Sequence, residues 1–541
     1  MKRVIGILLC AVLLSGCGAG RSGIEPPAET PAPAETPAPV EAEPEPADPR
    51  PECIRMMTAA PDSLDPLNAA GTSCLLEIYE PLFDRAELGG ELRAVLADES
   101  RGTYRGFDHE QGTAVYTVFL RAGLTDHAGN PLTASDAAFC YNRMGAQRTD
   151  WTEWGNAAAA DDTTLQLNLT KELKESGALT KYLLDVYLYT EKAFNDNAEL
   201  ASAAVGTGPY RMSGYTPGES LRVEVSEDYR DGGQRLDRAG ANVKSIEYIF
   251  CGEAADAVIA LETAKADMTD ALDYLDTEDF RGEGSYTDLY RLELGWSHVN
   301  HIMIPNVCWQ SAVKETGVRS GVFSAIDKAA IADCFGAGGG RSCTGLGNPD
   351  NPDLPAAWAE QTNYQTATAD LITARNTLRG ANYVNESITV LVIENTPAQQ
   401  IADAMQTMLM PMSITIHVKP VDAEAFETTL AGESGWDFAI LPVEASSLFE
   451  VVKGVWLDSL NTYNITRGGL RDMKFATLLH TLEKEADRTE ENYTALWQHA
   501  LDNALVLSLP QKCCPVVVPA GVTQVYLTGN NELLPGACIY G

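Results

Sequence analysis

The chain has 541 residues, 39 of them basic and 76 acidic, which gives a formal net charge of −37. A body so negative repels a nucleic-acid backbone and disfavours docking on anionic lipid through a basic patch. Hydrophobic residues at 45% can build a large core, and twelve cysteines are too few for a disulfide scaffold. At roughly 100–200 residues per domain, the length suggests about three domains or lobes.

The charge falls into three zones: +2 over residues 1–17, −6 over 18–52 and −33 over the remainder. Lys2 and Arg3 precede an apolar run over 4–14. As a helix that run reaches about 16 Å, well short of a hydrocarbon core of roughly 30 Å. It therefore reads as a secretory signal and not as a spanning helix. Leu14-Ser15-Gly16-Cys17 resembles a bacterial lipobox, which makes Cys17 the residue to be lipidated and the mature N-terminus. In residues 18–52 the hexad Ala-Glu-Thr-Pro-Ala-Pro occurs twice, at 28–33 and 34–39, and Glu-Pro pairs follow. Proline favours extended polyproline II and the acids repel, so the segment reads as a disordered, semi-rigid tether of up to ~100 Å.

From about Cys53 the pattern turns globular. Residues 114–120, rich in β-branched and aromatic side chains, predict a strand. Residues 164–169, 221–225, 244–250 and 387–393 predict further strands. Helices are predicted over 134–144, 254–264, 320–334, 398–409, 474–485 and 490–503. Strands mixed with helices, without a strict alternation, indicate α/β lobes.

Several short motifs follow one another. Ser63-Leu64-Asp65-Pro66 and Ile78-Tyr79-Glu80-Pro81-Leu82 come first, then Phe119-Leu120-Arg121-Ala122-Gly123 and Gly129-Asn130-Pro131-Leu132-Thr133-Ala134-Ser135-Asp136. Val205-Gly206-Thr207-Gly208-Pro209-Tyr210 is next, and Val318-Arg319 precedes Ala325-Ile326-Asp327-Lys328. Each reads physically as a fold-forming device. Asp65-Pro66 is a turn leaving the first strand. Gly206 to Pro209 is a turn where chain segments can cross closely. Thr133 is a helix N-cap with acids favourable to the dipole. In this order, behind a lipobox, the set resembles the family 5 extracellular solute-binding proteins, which serve ABC importers of oligopeptides, nickel chelates and some sugars. The resemblance covers about residues 53–530.

The resemblance implies an α/β, two-lobed periplasmic-binding-protein-like fold with a third, small flanking domain and a hinge between the lobes. Lobe one is expected to comprise 53–95, 204–290 and 506–541, the flanking domain 96–203 and lobe two 291–505, with crossing strands near 290 and 505. Ligand would lie between the lobes, enclosed by closure. Residues Thr72, Ser73 and Cys74 are expected near the cleft, together with Asn306 and Trp436, whose ring could supply a face. In peptide-binding members the strand matching 436–441 leads into an acidic segment, where an aspartate pairs with the peptide's α-amino group. Here the chain reads Pro442-Val443-Glu444-Ala445-Ser446-Ser447, so Glu444 is the candidate substitute.

Other signals weigh little. His298 and His301 have a spacing suited to a metal on a helix, but the stretch 296–304 reads as extended, where residues three apart face opposite ways. The glycine run 336–342 lacks the lysine of a phosphate loop and reads as a helix stop. No Gly-x-Ser-x-Gly, His-Glu-x-x-His or Cys-x-x-Cys motif occurs, and no cofactor is implied. In an exported protein, Cys334 with Cys343, and Cys513 or Cys514 with Cys538, are candidate disulfides. The expectation is a non-enzymatic, monomeric receptor, lipid-anchored on the extracellular face of the cell membrane, or periplasmic if an outer membrane is present. It would take an oligopeptide-like or other small polar solute and present it to an ABC permease. A surface sensor on the same fold and an exported hydrolase are the alternatives.

Overall fold

A computed structural model describes residues 50–541 except 68–72, 86–91, 109–112, 149–150, 152, 172, 174–178, 185, 228, 230–240, 352, 360–362, 446 and 529–530. The lipobox with Cys17 and the tether as far as Pro49 therefore lie outside the described residues. So does Thr72. Among the described residues, no helix is long and apolar enough to cross a membrane.

The first lobe is built on an eight-stranded sheet. Its order is Tyr210–Thr216, Ser220–Val225, Ser245–Phe250, Ile54–Thr58, Met268–Thr269, Gln511–Pro519 and Tyr290–Trp296, with Gly340–Arg341 also paired to Gln511–Pro519. Ile54–Thr58 runs parallel to both neighbours, Ser245–Phe250 and Met268–Thr269. The predicted strands at 221–225 and 244–250 are thus present as Ser220–Val225 and Ser245–Phe250.

The second lobe carries a five-stranded sheet in the order Thr415–Val421, Ser387–Ile393, Phe438–Glu444, Val299–Pro305 and Leu507–Ser508. The first three are parallel, the last two antiparallel to their neighbours. The helix predicted over 320–334 is broken. Thr316–Ser324 ends before Asp327, whose carboxylate accepts from the Ala330 N–H at 2.9 Å and starts a new helix, Lys328–Ala332. A short acid cannot continue a helix and cap the next one at once, and the cap wins.

The third sheet is an antiparallel set in the order Thr103–Asp108, Thr113–Phe119, Thr164–Leu169 and Trp154–Asp161. Helix Ala134–Gln147 packs on it, tied by Asn142, whose Oδ1 accepts from the Ala157 N–H at 2.7 Å. At the helix start the Asp136 carboxylate accepts from both the Thr133 N–H and its hydroxyl, at 2.8 and 2.7 Å. Buried side chains of this sheet, Tyr116, Leu165 and Leu167, belong to the same apolar cluster as Tyr210, Ile246 and Met56 of the first lobe. The second lobe's core, around Val322, Val390, Ile440 and Leu496, is separate.

The chain passes between the two larger sheets at Ser297-His298 and at Leu509-Pro510, not near 290 and 505, because Tyr290–Trp296 and Gln511–Pro519 pair along their length in the first lobe. The two crossings lie side by side. The Ser297 N–H donates to Lys512 O at 3.1 Å, and the Leu509 N–H to His301 O at 2.9 Å. The ten cysteines of residues 50–541 are free thiols. The disulfides considered from spacing do not form. Burial pushes the Cys334 and Cys343 thiols up to about 11, which makes them inert rather than reactive.

Candidate functional site

The family-defining motifs build the frame. Gly206 and Gly208 lie against the Ile78 and Glu77 carbonyl oxygens, where a Cβ on either glycine would collide with backbone. The Thr207 hydroxyl donates to Glu80 Oε2 at 3.0 Å, and the Tyr229 hydroxyl to Glu80 Oε1 at 2.8 Å. Two motifs far apart in sequence thus serve one another as scaffold and leave no side chain for a ligand.

In open α/β sheets, ligands bind beyond the carboxyl ends of parallel strands. In the first lobe that edge carries Thr58, which ends Ile54–Thr58, and Asp270, which follows Met268–Thr269. Ser73 completes the group: its hydroxyl donates to Asp270 Oδ2 at 3.1 Å and lies 3.3 Å from the Thr58 hydroxyl. Burial raises the Asp270 carboxyl to about 6 against the opposing bonds from Thr58 and Ser73, and Glu532 adds like-charge repulsion.

Beside Glu532, Asn531 reaches the crossing. Its Nδ2 donates to Trp296 O at 2.7 Å and lies 3.2 Å from His298 Nε2. The next residue, Val299, pairs in register with Glu444, the exposed last residue of Phe438–Glu444. Polar groups therefore stand at the strand edge, with Ser73 on Asp270, and at the crossing, with Asn531 on His298. On the other side of the crossing the Arg341 guanidinium stacks on the Trp296 ring, 4.5 Å from its centroid, and donates to Gln511 Oε1 at 2.9 Å. The Gln511 amide in turn donates to Ser297 O.

Of the residues expected in the cleft, Ser73 lies at this strand edge and Glu444 ends its strand one register position from the crossing. Cys74 does not: it is fully buried in the first lobe's core, and burial pushes its thiol well above the usual range. Trp436 is corrected too. It is 2% exposed, sits in the second lobe's core and donates its indole N–H to Gly432 O. It precedes the strand that Glu444 ends, and that strand alone spans about 20 Å at roughly 3.3 Å per residue. Asn306 lies at that same far end. Its amide donates to Glu433 O and Trp436 O and its oxygen accepts from Cys308 N–H, so it closes a turn and has nothing left for a ligand. His301, three residues after His298, is buried on an extended strand, and burial lowers its imidazole to about 4. It is neutral and does not share a site with His298. Asp270 and Asn531 escaped sequence reading, and His298 is weighed there only as a metal ligand. The strand before Asp270 has two residues, and acids are too numerous in this chain for one to stand out.

Residues 93–447 match the family model described as bacterial extracellular solute-binding proteins, family 5. A Brucella ovis protein named as an ABC transporter peptide-binding protein is 25% identical over 394 residues, covering 69% of each chain. Among solved structures, the ABC transporter substrate binding protein CtaP from Listeria monocytogenes superposes with a TM-score of 0.68 at 16% identity, covering 91% of this chain and 99% of that one. A nickel ABC transporter structure from Bacillus halodurans gives 0.66 at 18% identity, covering 89% and 99%. These likenesses establish the same two-lobed fold. With the family model matched over most of its length, the chain belongs to the bacterial extracellular solute-binding proteins of family 5.

Proposed function

We propose that the chain is the lipid-anchored substrate-binding component of an ABC importer, which captures an oligopeptide-like solute by lobe closure and hands it to a permease. The observation that carries the reading is the junction itself: two separately cored lobes joined by paired crossing segments, with His298 and Asn531 in contact at it. Such a junction serves hinge closure. The Brucella relative's name supports the peptide and the transporter, and the lipobox at Cys17 supports the anchor. Closure distinguishes loaded from empty protein, so a permease can select the loaded state.

Glu444 stands where peptide-binding members are expected to hold an acid, and Asp270 supplies a second from the opposite lobe. Both suit a protonated amine. Mass spectrometry of solute released from the purified protein, followed by a thermal-shift screen with di- to pentapeptides, tests this. Peptide recovered and a peptide-dependent rise in Tm are expected. A released solute without an amine, together with no peptide response, overturns the peptide assignment. Radiolabelled palmitate incorporated by the wild type and lost in Cys17→Ala checks the anchor.

A further inference from the structure

A second group of polar side chains lies inside the second lobe, next to the crossing and apart from the acids above. Asn300, Asn348, Asn351 and Ser508 are 2%, 1%, 4% and 1% exposed. Asn300 Oδ1, Asn348 Nδ2, both amide atoms of Asn351 and the Ser508 hydroxyl have no hydrogen-bond partner among the described residues. Buried polar atoms in native proteins are nearly always paired, because an unpaired one keeps its whole desolvation penalty. Five in one neighbourhood call for a ligand.

The topology places them together. Asn300 pairs in register with Val443, and Ser508 with Ile302, so Asn300, Val443, Ile302 and Ser508 share one face of the five-stranded sheet. Helix Leu448–Val455 covers that face: Val443 Cγ1 lies 2.9 Å from the position a Cβ on Gly454 would take. From the same helix, Val451 packs on Gly347, and the Cβ position of Gly347 is 3.5 Å from Asn351 Nδ2. The Asn351 N–H donates to Asn348 O at 3.0 Å, which closes both amides into one turn. The Asp353 carboxylate fixes that segment by accepting from the Leu448 N–H at 2.8 Å.

The orientations are set by neighbours. Asn348 Oδ1 accepts from Arg341 Nη2 at 2.7 Å and from the Asp350 N–H at 2.9 Å, so its NH₂ is the group turned free. Asn300 spends its NH₂ on His298 O and Val443 O, so its oxygen is left as an acceptor. Asn351 offers one of each and Ser508 offers both. The unpaired set is uncharged and mixes donors with acceptors, which is the complement of a primary amide. A carboxylate would leave the acceptors facing charge of their own sign, and an alkyl group would strand all of them.

We infer that Asn300, Asn348, Asn351 and Ser508 form an interior subsite of the second lobe for an uncharged amide of the bound solute. The inference rests on the solute-binding reading above and deepens it: the acids take the amine, and this subsite selects what else the solute carries.

The test is calorimetry with the tripeptides Ala-Gln-Ala, Ala-Glu-Ala and Ala-Met-Ala on the purified chain, its Asn351→Leu variant and its Ser508→Ala variant, the latter removing only a hydroxyl. The wild type is expected to bind the glutamine peptide at least tenfold more tightly than the other two. Asn351→Leu should reduce that preference to less than twofold, and Ser508→Ala should weaken it severalfold. Equal affinities in the wild type, or a preference unchanged in a folded variant, overturn the subsite. If no tripeptide binds, the peptide assignment fails, and propionamide against propionate decides the subsite. A rise in wild-type Tm with propionamide alone, absent in the variants, supports it, and no difference between the two probes overturns it.

Discussion

Arg143 Nη2 donates to Asp65 Oδ2 at 2.7 Å, joining the helix of the flanking sheet to the turn that follows the first strand of lobe one. Asp65 is 1% exposed, and the guanidinium that reaches it also stacks on Phe194, 4.2 Å from the ring centroid, and donates to the Tyr189 hydroxyl. The Leu-Asp-Pro motif is thereby a clamp between two parts of the molecule. Arg143→Met leaves the Asp65 carboxylate buried without its cation. A loss of about 3 kcal/mol is expected in urea unfolding, with affinity for solute at the crossing unchanged.

Asp270 carries a pH dependence of defined sign. In the unfolded chain its carboxyl ionises near 4, and in the folded chain near 6. The folded state holds the proton more tightly, so this residue lowers stability as pH rises from 4 to 6, and the deficit is complete above 6. Asp270→Asn should therefore raise the Tm of solute-free protein at pH 7 and leave it nearly unchanged at pH 4. A benefit of the order of 2 kcal/mol at pH 7 is expected from a shift of that direction and size. Melting curves at pH 4, 5 and 7 check it.

Gly208→Ala places a methyl against the Ile78 and Glu77 carbonyls, which are backbone and cannot swing aside. Overpacking of this kind costs about 1–3 kcal/mol. Gly218→Ala provides a contrast, since open space surrounds that glycine and only its φ of 72° opposes the change. Differential scanning calorimetry of the two variants should show the larger drop for Gly208→Ala.

Trp436 and Glu444 lie near opposite ends of one strand and should fail in opposite ways. Trp436→Ala empties a core position and is expected to cost about 3–5 kcal/mol of stability. Glu444→Gln alters an exposed side chain and should leave unfolding unchanged, while weakening binding of amine-bearing peptides about tenfold. Peptide affinity equal to that of the wild type would remove Glu444 from the site.

Strands with clean alternation were legible because their faces differ in burial. Residues 113–119 alternate between buried and half-buried positions, as a strand with one face on a core must. Helix termini with short polar caps were legible for a local reason of the same kind. The site was not. Ser73, Asp270, Asn531, His298 and Glu444 come from five separated stretches and meet only through strand order, which no local pattern encodes. Trp436 and Asn306 misled because a tryptophan and an asparagine suit a cleft as well as they suit a core and a turn. Their burial, set by the pairing of Pro305 with Phe438, decides between the two.

The apolar cluster that runs without interruption from the four-stranded sheet into the eight-stranded one also bears on how the molecule comes apart. A calorimetric scan responds to independently cored bodies, not to sheets. The three larger sheets on two such bodies should give two heat-absorption transitions, the second lobe's own and one common to the first lobe and its flanking sheet. Bound solute, held between the bodies, should draw the two toward a single peak.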